Sequence, residues 1–286
     1  MFPSQFDYYR PSSIAEAVGL LDANPDAKIL AGGHSLLPAM KLRLAAPGAL
    51  VDLGRIQELR GIRVNGGVTL GAMTTYEEIQ DSEEVRQRVP MLAEAAGTVG
   101  DPQVRARGTL GGSLAHSDPA ADLTAVFLAL GGEVTAVGSG GKRTISADDL
   151  FVDLLTTSLQ PDEVITQIRI PVNGGTAMAY EKQEHPASGY AIVGVAAVLQ
   201  LGDGNVCQSA RLAVTGCTSK ATRLSSAEDA LVGQPLNDER IMQAAQGVAE
   251  GLEINGDLYA SEEYRRHLVT VITRRVLQRA LSTGTN

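Results

Sequence analysis

The chain has 286 residues, of which 44% are hydrophobic and 20% charged, an ordinary globular composition with enough apolar material for a sizeable core. A formal net charge of -9 argues against a broad nucleic-acid-binding surface, because such a surface needs a basic face. Only two cysteines occur, Cys207 and Cys217, so a disulfide scaffold is excluded, a cytoplasmic location is favoured and both thiols are expected in the core.

The first 55 residues are predicted to form a βαβ-like unit. Ser13 and Glu16 make a capping box that begins a helix, and Ile14, Val18 and Leu21 supply its buried stripe. A strand over residues 28–31, a helix over 35–44 and a strand over 50–53 follow. The N-terminal segment lacks a basic region and an apolar core, so no signal peptide is expected.

The next stretch, up to Pro171, mixes hairpins and helices. Residues 62–64 and 68–70 predict a hairpin with a type I′ turn at Asn65-Gly66, and Thr75 is expected to cap the following helix. Further expected elements are helices at 90–99 and about 120–130, a strand pair at 133–137 and 143–145, and a strand at 164–170.

A boundary is expected at Asn173-Gly174-Gly175. Beyond it the sequence predicts strands at 177–182, 191–201 and 206–214, then helices at about 226–232, 238–251 and 261–281. Strands grouped before helices indicate an α+β layer, in which helices pack on one face of an antiparallel sheet. Arg265, Arg266, Arg274 and Arg275 are typical of the basic solvent face of an amphipathic helix.

Two glycine-rich stretches carry the main functional signal. The first glycine loop is defined as residues 31–35 (Ala-Gly-Gly-His-Ser), and the second as residues 108–113 (Gly-Thr-Leu-Gly-Gly-Ser). Adjacent glycines after a strand let the backbone approach a bulky anion, with N–H groups directed at phosphate oxygens. Taken singly, such a loop is often only a tight turn. Two of them, each leading into a helical pattern, indicate two sides of one phosphate-bearing cofactor.

Several other chemistries are excluded by motif. The patterns GxGxxG, GxxxxGK[ST], HExxH and GxSxG are absent, and the four histidines have no metal-ligand spacing. His116, Ser117 and Asp118 have the residue types of a hydrolytic triad, but residues adjacent in the chain rarely face each other productively. No catalytic residue and no metal ligand is therefore predicted on this chain.

The ordered combination of short motifs resembles one family, the FAD-binding medium subunits of molybdenum hydroxylases (the xanthine dehydrogenase family), and most nearly those of the aerobic carbon monoxide dehydrogenase type. The motifs that carry the resemblance are Phe6-Asp7-Tyr8, both glycine loops, Val51-Asp52-Leu53, Gly71-Ala72-Met73-Thr74-Thr75, Asp101-Pro102-Gln103-Val104-Arg105 and Ile168-Arg169-Ile170-Pro171. The resemblance implies a two-subdomain FAD-binding domain, like that of vanillyl-alcohol oxidase flavoproteins, over residues 1–173 (subdomains about 1–55 and 56–173). A C-terminal α+β domain over 174–286 follows it.

The resemblance also implies cofactor contacts. Lys28 and Ile29 lead into a first wall formed by Ala31, Gly32, Gly33, His34, Ser35 and Leu36, and a second wall consists of Thr109, Gly111, Gly112 and Ser113. Further implied contacts are Asp118, Asp122 (through ribose or ribityl hydroxyls), Ile165, Lys182 and Tyr190, the last against the isoalloxazine ring. Without the resemblance, Lys182 is typical of a solvated strand charge and Tyr190 of core packing.

The implied function is electron transfer within a larger oxidoreductase, with no activity of the chain alone. Molybdenum cofactor would lie on a large partner subunit and [2Fe-2S] clusters on a small one, in a dimer of heterotrimers. Electrons would leave FAD to an external acceptor such as quinone, in the cytoplasm or peripherally at the inner membrane face. The alternatives are the same role in an N-heterocycle or aldehyde hydroxylase, a free-standing FAD oxidoreductase, and a non-catalytic nucleotide-binding scaffold.

Overall fold

A three-stranded parallel sheet opens the chain in the computed structural model, which describes residues 2–172 and 174–284. Its elements are β1 (Asp7–Tyr9), α1 (Ile14–Ala23), β2 (Ala27–Leu30), α2 (Leu36–Lys41) and β3 (Ala49–Asp52). Strand β3 lies between β1 and β2 and is parallel to both, so the predicted βαβ unit is confirmed.

Two local expectations in this unit need correction. The Ser13 hydroxyl accepts from the Glu16 N–H at 3.2 Å, but the Glu16 carboxylate accepts from the N–H of Ser12 instead, so only half of the capping box forms. Helix α2 ends at Lys41 rather than at residue 44, because Arg43 adopts a left-handed φ of 59° that a helix does not accommodate.

A five-stranded antiparallel sheet with a helical layer forms the middle of the chain, with strand order β4-β5-β10-β6-β7. The elements are β4 (Ile62–Val64), β5 (Gly67–Gly71), α3 (Tyr76–Asp81), α4 (Glu83–Arg88), α5 (Pro90–Gly97), α6 (Pro102–Arg105), α7 (Leu110–His116), α8 (Asp122–Ala129), β6 (Glu133–Gly138), β7 (Gly141–Ser146), α9 (Ala147–Leu150), β8 (Phe151–Asp153), β9 (Thr156–Thr157) and β10 (Val164–Pro171).

Turn chemistry in this sheet is partly as predicted. Thr75 caps α3 through a complete capping box with Glu78. The prediction of a type I′ turn is wrong, because Val64 pairs with Val68 and leaves a three-residue loop. In that loop Gly66 has a left-handed φ of 63°, whereas Asn65 does not have a positive φ. A type I′ turn requires two residues with positive φ, and here a third residue enters the loop instead.

The C-terminal region contains the third sheet, with strand order β11-β12-β13-β14 and antiparallel pairing throughout. Its elements are β11 (Thr176–Glu184), β12 (Ala191–Leu201), β13 (Cys207–Thr215), β14 (Thr222–Arg223), α10 (Ser225–Leu231), α11 (Asp238–Gln246) and α12 (Glu262–Gly284). Of the expected boundary Asn173-Gly174-Gly175, Asn173 lies outside the described residues, as do Met1, Thr285 and Asn286.

Both faces of the C-terminal sheet are covered. Helices α10 and α12 pack on one face, as expected from the sequence, and share a core with Ala179, Val195 and Leu212. Helix α8, from the middle of the chain, packs on the other face, where Tyr180 and Ala196 point. Because side chains alternate along a strand, residues 180 and 182 both project from β11 towards α8.

Two side-chain expectations have different outcomes. Cys207 and Cys217 are both fully buried, as predicted. Arg265 is not on a solvent face: it is only 9% exposed, donates to the carbonyl oxygens of Gly216 and Asn255, and pairs with Asp257. Backbone oxygens of two loops converge on this point of α12, so a buried guanidinium satisfies them.

Among residues 2–172 and 174–284, no helix is long and apolar enough to cross a membrane.

Candidate functional site

The two glycine loops lie directly against each other. A Cβ atom at Gly32 would lie 2.3 Å from the carbonyl oxygen of Arg107 and 2.9 Å from the Cα atom of Gly108. A Cβ atom at Gly112 would lie 3.3 Å from the Cβ atom of Ala31. The two walls predicted 80 residues apart in sequence therefore meet along one line, and the glycines are what allows this close approach.

The first glycine loop presents a row of unpaired backbone donors. The N–H groups of residues 32–36 donate to no acceptor within the part of the chain that the structure describes. Gly33 holds a left-handed φ of 81°, and the His34 side chain is exposed. Successive unpaired N–H groups in a turn form a concave anion-binding surface, which fits the predicted diphosphate contact.

The second glycine loop behaves differently from the sequence expectation. The N–H of Leu110 donates to the Thr74 carbonyl at 3.0 Å and that of Gly111 to the Ala72 carbonyl at 2.9 Å. The N–H of Gly112 donates to the Thr109 hydroxyl at 3.2 Å. The expectation that both loops direct their N–H groups at phosphate is thus wrong for these three amides, because Thr74 and Ala72 already accept from two of them and the Thr109 hydroxyl accepts from the third. In the second glycine loop, only the N–H of Thr109 has no acceptor among the described residues. This loop therefore offers a ligand its shape and a single free donor.

A cavity of about 160 Å³ adjoins both loops. Ala31 from the first loop and Thr109 from the second line it. The charged groups of its lining are Arg10, Arg60, Arg107 and Asp52. Asp52 accepts hydrogen bonds from the Tyr8 hydroxyl and the Gly54 N–H, and its carboxylate lies 3.4 Å from the Arg10 Nε. Three guanidinium groups against one carboxylate leave a net positive lining, which favours an anionic ligand.

A buried polar cluster joins α8 to β11. The Lys182 Nζ lies 3.1 Å from Asp122 Oδ1, and the two side chains are only 7% and 6% exposed. The Tyr180 hydroxyl donates to the same oxygen at 2.5 Å. Burial raises the pKa of Asp122, and the charge of Lys182 opposes that rise. The acidic neighbours of Lys182 in the sequence favour a solvated strand charge, and this interpretation is wrong because the side chain is buried against Asp122.

Tyr190 lies beside this cluster on the loop before β12. Its side chain is 48% exposed, so the interpretation of Tyr190 as a core residue is wrong. Partial burial raises the pKa of its hydroxyl, and the nearby carboxylates of Asp118 and Asp122 raise it further. The side chain thus stands at the surface, within electrostatic range of two of the predicted contacts.

Tyr76 completes the group. Burial raises the pKa of Tyr76 to about 12, the Ser113 hydroxyl acts to lower it, and Tyr190, Asp122 and Asp118 add to the rise. The predicted residues Ser113, Asp118, Asp122 and Tyr190 therefore all lie within electrostatic range of Tyr76, and Lys182 joins them through Asp122. Two other predicted contacts lie elsewhere: Lys28 is exposed in β2, and Ile165 is buried in β10.

Five residues that were not predicted lie in the cavity lining or beside the polar cluster: Tyr76, Tyr180, Arg10, Arg60 and Arg107. The period-two spacing of Tyr180 and Lys182 in one strand was a usable signal, since it places both on one sheet face. The arginines carry no such signal, because each comes from a different segment of the chain.

Known proteins match both halves of this architecture. The family model of the FAD binding domain in molybdopterin dehydrogenase matches residues 4–173, and that of the CO dehydrogenase flavoprotein C-terminal domain matches residues 178–280. The carbon monoxide dehydrogenase medium chain of Hydrogenophaga pseudoflava is 40% identical over 98% of each chain. The nicotine 6-hydroxylase medium subunit of Paenarthrobacter nicotinovorans is 41% identical over 96% of each chain.

A solved structure agrees over the same length. Carbon monoxide dehydrogenase from Hydrogenophaga pseudoflava, in a form lacking the Mo-pyranopterin moiety, matches with a TM-score of 0.95 at 40% identity over 99% of each chain. Fold and site thus define an FAD-binding flavoprotein subunit. The chain belongs to the family of FAD-binding medium subunits of molybdenum hydroxylases.

Proposed function

We propose that this chain is the electron-transfer subunit of a carbon monoxide dehydrogenase-type hydroxylase that contains molybdenum, iron–sulfur clusters and flavin. FAD held by this chain would supply the redox chemistry between the [2Fe-2S] clusters of a partner chain and an external acceptor such as quinone. The observation that carries the proposal is the row of unpaired N–H groups at residues 32–36, set against the second glycine loop and an arginine-lined cavity.

The residues present fit FAD. The N–H groups of Gly32 to Leu36 offer donors to a diphosphate, and Arg10, Arg60 and Arg107 add positive charge beside them. The Asp122 carboxylate suits sugar hydroxyls, and the half-exposed ring of Tyr190 suits a planar heterocycle. The proposed contacts are Lys28, Ile29, Ala31, Gly32, Gly33, His34, Ser35, Leu36, Thr109, Gly111, Gly112, Ser113, Asp118, Asp122, Ile165, Lys182 and Tyr190.

The proposed domains are 1–173, with subdomains about 1–55 and 56–173, and 174–286. The proposed partners are a large molybdenum-binding subunit and a small iron–sulfur subunit, in a dimer of heterotrimers that lies in the cytoplasm or peripherally at the inner membrane face. Support comes from relatives that are named as medium chains or medium subunits. The match extends over nearly the whole length of each of them.

Carbon monoxide is the proposed substrate of the whole complex. The match to the carbon monoxide dehydrogenase medium chain supports it. The nicotine 6-hydroxylase medium subunit matches at 41% identity, and this favours oxidation of an N-heterocycle as the second candidate.

Cofactor binding is tested on the full chain expressed alone. We expect flavin bands in the visible absorption spectrum and a stoichiometry near one FAD per chain. A colourless protein that does not bind added FAD would indicate a non-catalytic scaffold. Asp122→Asn should raise the FAD dissociation constant by roughly tenfold, equivalent to about 1.4 kcal/mol. Asp148→Asn is the matched control, because Asp148 pairs with Arg211 and Arg223 away from the glycine loops, and it should leave FAD affinity unchanged.

A milder variant guards against misfolding. Asp122→Asn leaves the buried Lys182 ammonium without its counter-charge, so a thermal melt accompanies the titration. Ser113→Ala removes one hydroxyl at the second wall and should weaken FAD binding while the melting temperature stays near that of the wild type. Wild-type FAD affinity in both variants would contradict the assignment of these contacts.

Assembly is tested by purification from the native source. We expect the chain to be recovered with molybdenum- and iron-bearing partners, and the complex to oxidise carbon monoxide. Oxidation of an N-heterocycle but not carbon monoxide would select the second candidate. Substrate turnover by the lone chain would instead indicate a free-standing FAD oxidoreductase.

A further inference from the structure

We infer that Lys182 is a positioning residue that holds the loop bearing Tyr190, acting through the backbone carbonyl of Gly189. The hydrogen bond from the Lys182 ammonium to the Gly189 carbonyl (the tie) does not depend on the cofactor. Its consequence for the flavin rests on the proposed function.

The ammonium of Lys182 has a complete set of acceptors. It lies 3.1 Å from Asp122 Oδ1, 3.0 Å from the carbonyl oxygen of Thr98 and 2.8 Å from the carbonyl oxygen of Gly189. An ammonium has three N–H donors, so these three acceptors use all of them. A side chain that is 7% exposed and hydrogen-bonded in this way is fixed in place.

The loop at residues 185–190 depends on this tie. Its other hydrogen bonds are internal: the N–H groups of Ser188 and Gly189 donate to the His185 carbonyl, and the His185 N–H donates to the Tyr190 carbonyl. Among the residues that the structure describes, Lys182 is the polar group outside this loop that bonds to it. The ring of His185 adds one edge-on aromatic contact with the ring of Tyr259, at 4.5 Å between the ring centroids.

The geometry explains how Lys182 can act on Tyr190. Gly189 precedes Tyr190 directly and takes a left-handed φ of 70°, so the direction of its carbonyl and the direction in which Tyr190 leaves the backbone are set together. The Tyr190 side chain is half exposed and has no hydrogen bond of its own among the described residues. Its position therefore follows from the backbone that Lys182 holds.

The same ammonium also connects separate parts of the fold. Asp122 begins α8 and Thr98 follows α5, whereas Gly189 belongs to the C-terminal region. Lys182 thus sets the Tyr190 loop against the helices that follow and precede the second glycine loop. Loss of the tie should loosen the loop without separating these helices, because α8 still packs on β12 and β13.

Hydrogen exchange on the full chain without FAD tests the tie directly. Lys182→Met keeps the length of the side chain and removes its donors; we expect amides of residues 187–190 to exchange roughly tenfold faster, as local opening becomes easier. Tyr180→Phe is the matched control: it removes a hydrogen bond to the same Asp122 oxygen but leaves the bond to Gly189. Unchanged exchange in Lys182→Met, or equal loosening in Tyr180→Phe, would overturn the inference.

A second pair of variants tests the same hydrogen bond if Lys182→Met alone does not fold. Asp122→Asn removes the counter-charge and retains the Lys182 bond to Gly189, whereas Asp122→Asn with Lys182→Met removes both charges together. We expect faster exchange at 187–190 only in the double variant. Equal exchange in the two proteins would contradict the tie.

The consequence at the flavin has its own readout. In the FAD-loaded chain, Lys182→Met should change the rate of flavin reoxidation by about threefold or more, in the same direction as Tyr190→Ala, and the double variant should show no further change because both act through one ring. Additive effects would mean that Lys182 changes flavin reoxidation by a route other than the Tyr190 ring, contrary to the inference. If the chain takes up no FAD, the proposed function fails, and the exchange experiment still decides the tie.

Discussion

Gly32 packs against the carbonyl oxygen of Arg107 so closely that a Cβ atom at residue 32 would stand only 2.3 Å from it. Real Cβ atoms do not approach backbone oxygen to that distance. The obstructing atom belongs to the backbone, so it cannot rotate away like the end of a side chain. The first glycine loop is thus shaped by its contact with the second as well as by any ligand.

Gly32→Ala should therefore destabilise the chain even without FAD. We expect the free energy of unfolding to fall by about 2 kcal/mol, as for other overpacked sites, because the two loops must separate. Urea unfolding of the FAD-free protein measures this.

Gly19→Ala is the control for that substitution. Gly19 is exposed within α1 and nothing lies within 4 Å of its Cβ position, so alanine should stabilise the chain by up to about 1 kcal/mol through helix propensity. If Gly32→Ala is as stable as the wild type, the contact between the loops is looser than described.

Tyr190→Ala should leave folding and FAD content nearly intact but change flavin reoxidation. The ring is 48% exposed, so its truncation removes little packing. Stopped-flow reoxidation measured beside a thermal melt tests this. A stability loss of about 3 kcal/mol or more, with unchanged reoxidation, would make Tyr190 a structural residue.

Glu163→Gln should lower stability in a pH-dependent manner. The Arg143 hydrogen bond holds the pKa of Glu163 below its ordinary value of 4.5, although partial burial opposes this. The two N–O contacts are 2.6 and 2.8 Å, and since Arg143 is 44% exposed we expect a loss of only about 1 kcal/mol at neutral pH.

The sign of the pH dependence follows from the lowered pKa. The contribution of Glu163 is fully present above pH 4.5 and is lost as the pH falls through the folded-state pKa, so wild type and Glu163→Gln should converge in acid. Chemical unfolding at several pH values measures the difference. A constant gap down to the most acid pH would refute the role of this ion pair.

Both cysteines should resist alkylation in the native chain. Burial raises the pKa of Cys217 to about 12 and also raises that of Cys207, so little reactive thiolate exists near neutral pH. Mass spectrometry after iodoacetamide treatment should show no adduct in buffer and two in urea. Rapid modification of either thiol in buffer would show that its surroundings open readily.

Local patterns in the sequence were sufficient for much of the fold. The parallel pairing of β2 with β3 followed from alternation of strand and helix, and the start of α3 followed from Thr75 as its N-cap. These signals act between residues close in the chain, where propensity and hydrogen bonding select one conformation. The glycine loops were also recognisable, because paired glycines after a strand are a local feature.

Only the tertiary structure decided which groups are buried or already paired. Lys182 has acidic neighbours in sequence and yet is buried against Asp122, and Arg265 is enclosed by carbonyls of Gly216 and Asn255. The N–H of Gly111 is used by Ala72, which no glycine pattern reveals. In each case at least one partner lies tens of residues away, and the pairing is fixed by how sheets and helices pack rather than by the adjacent sequence.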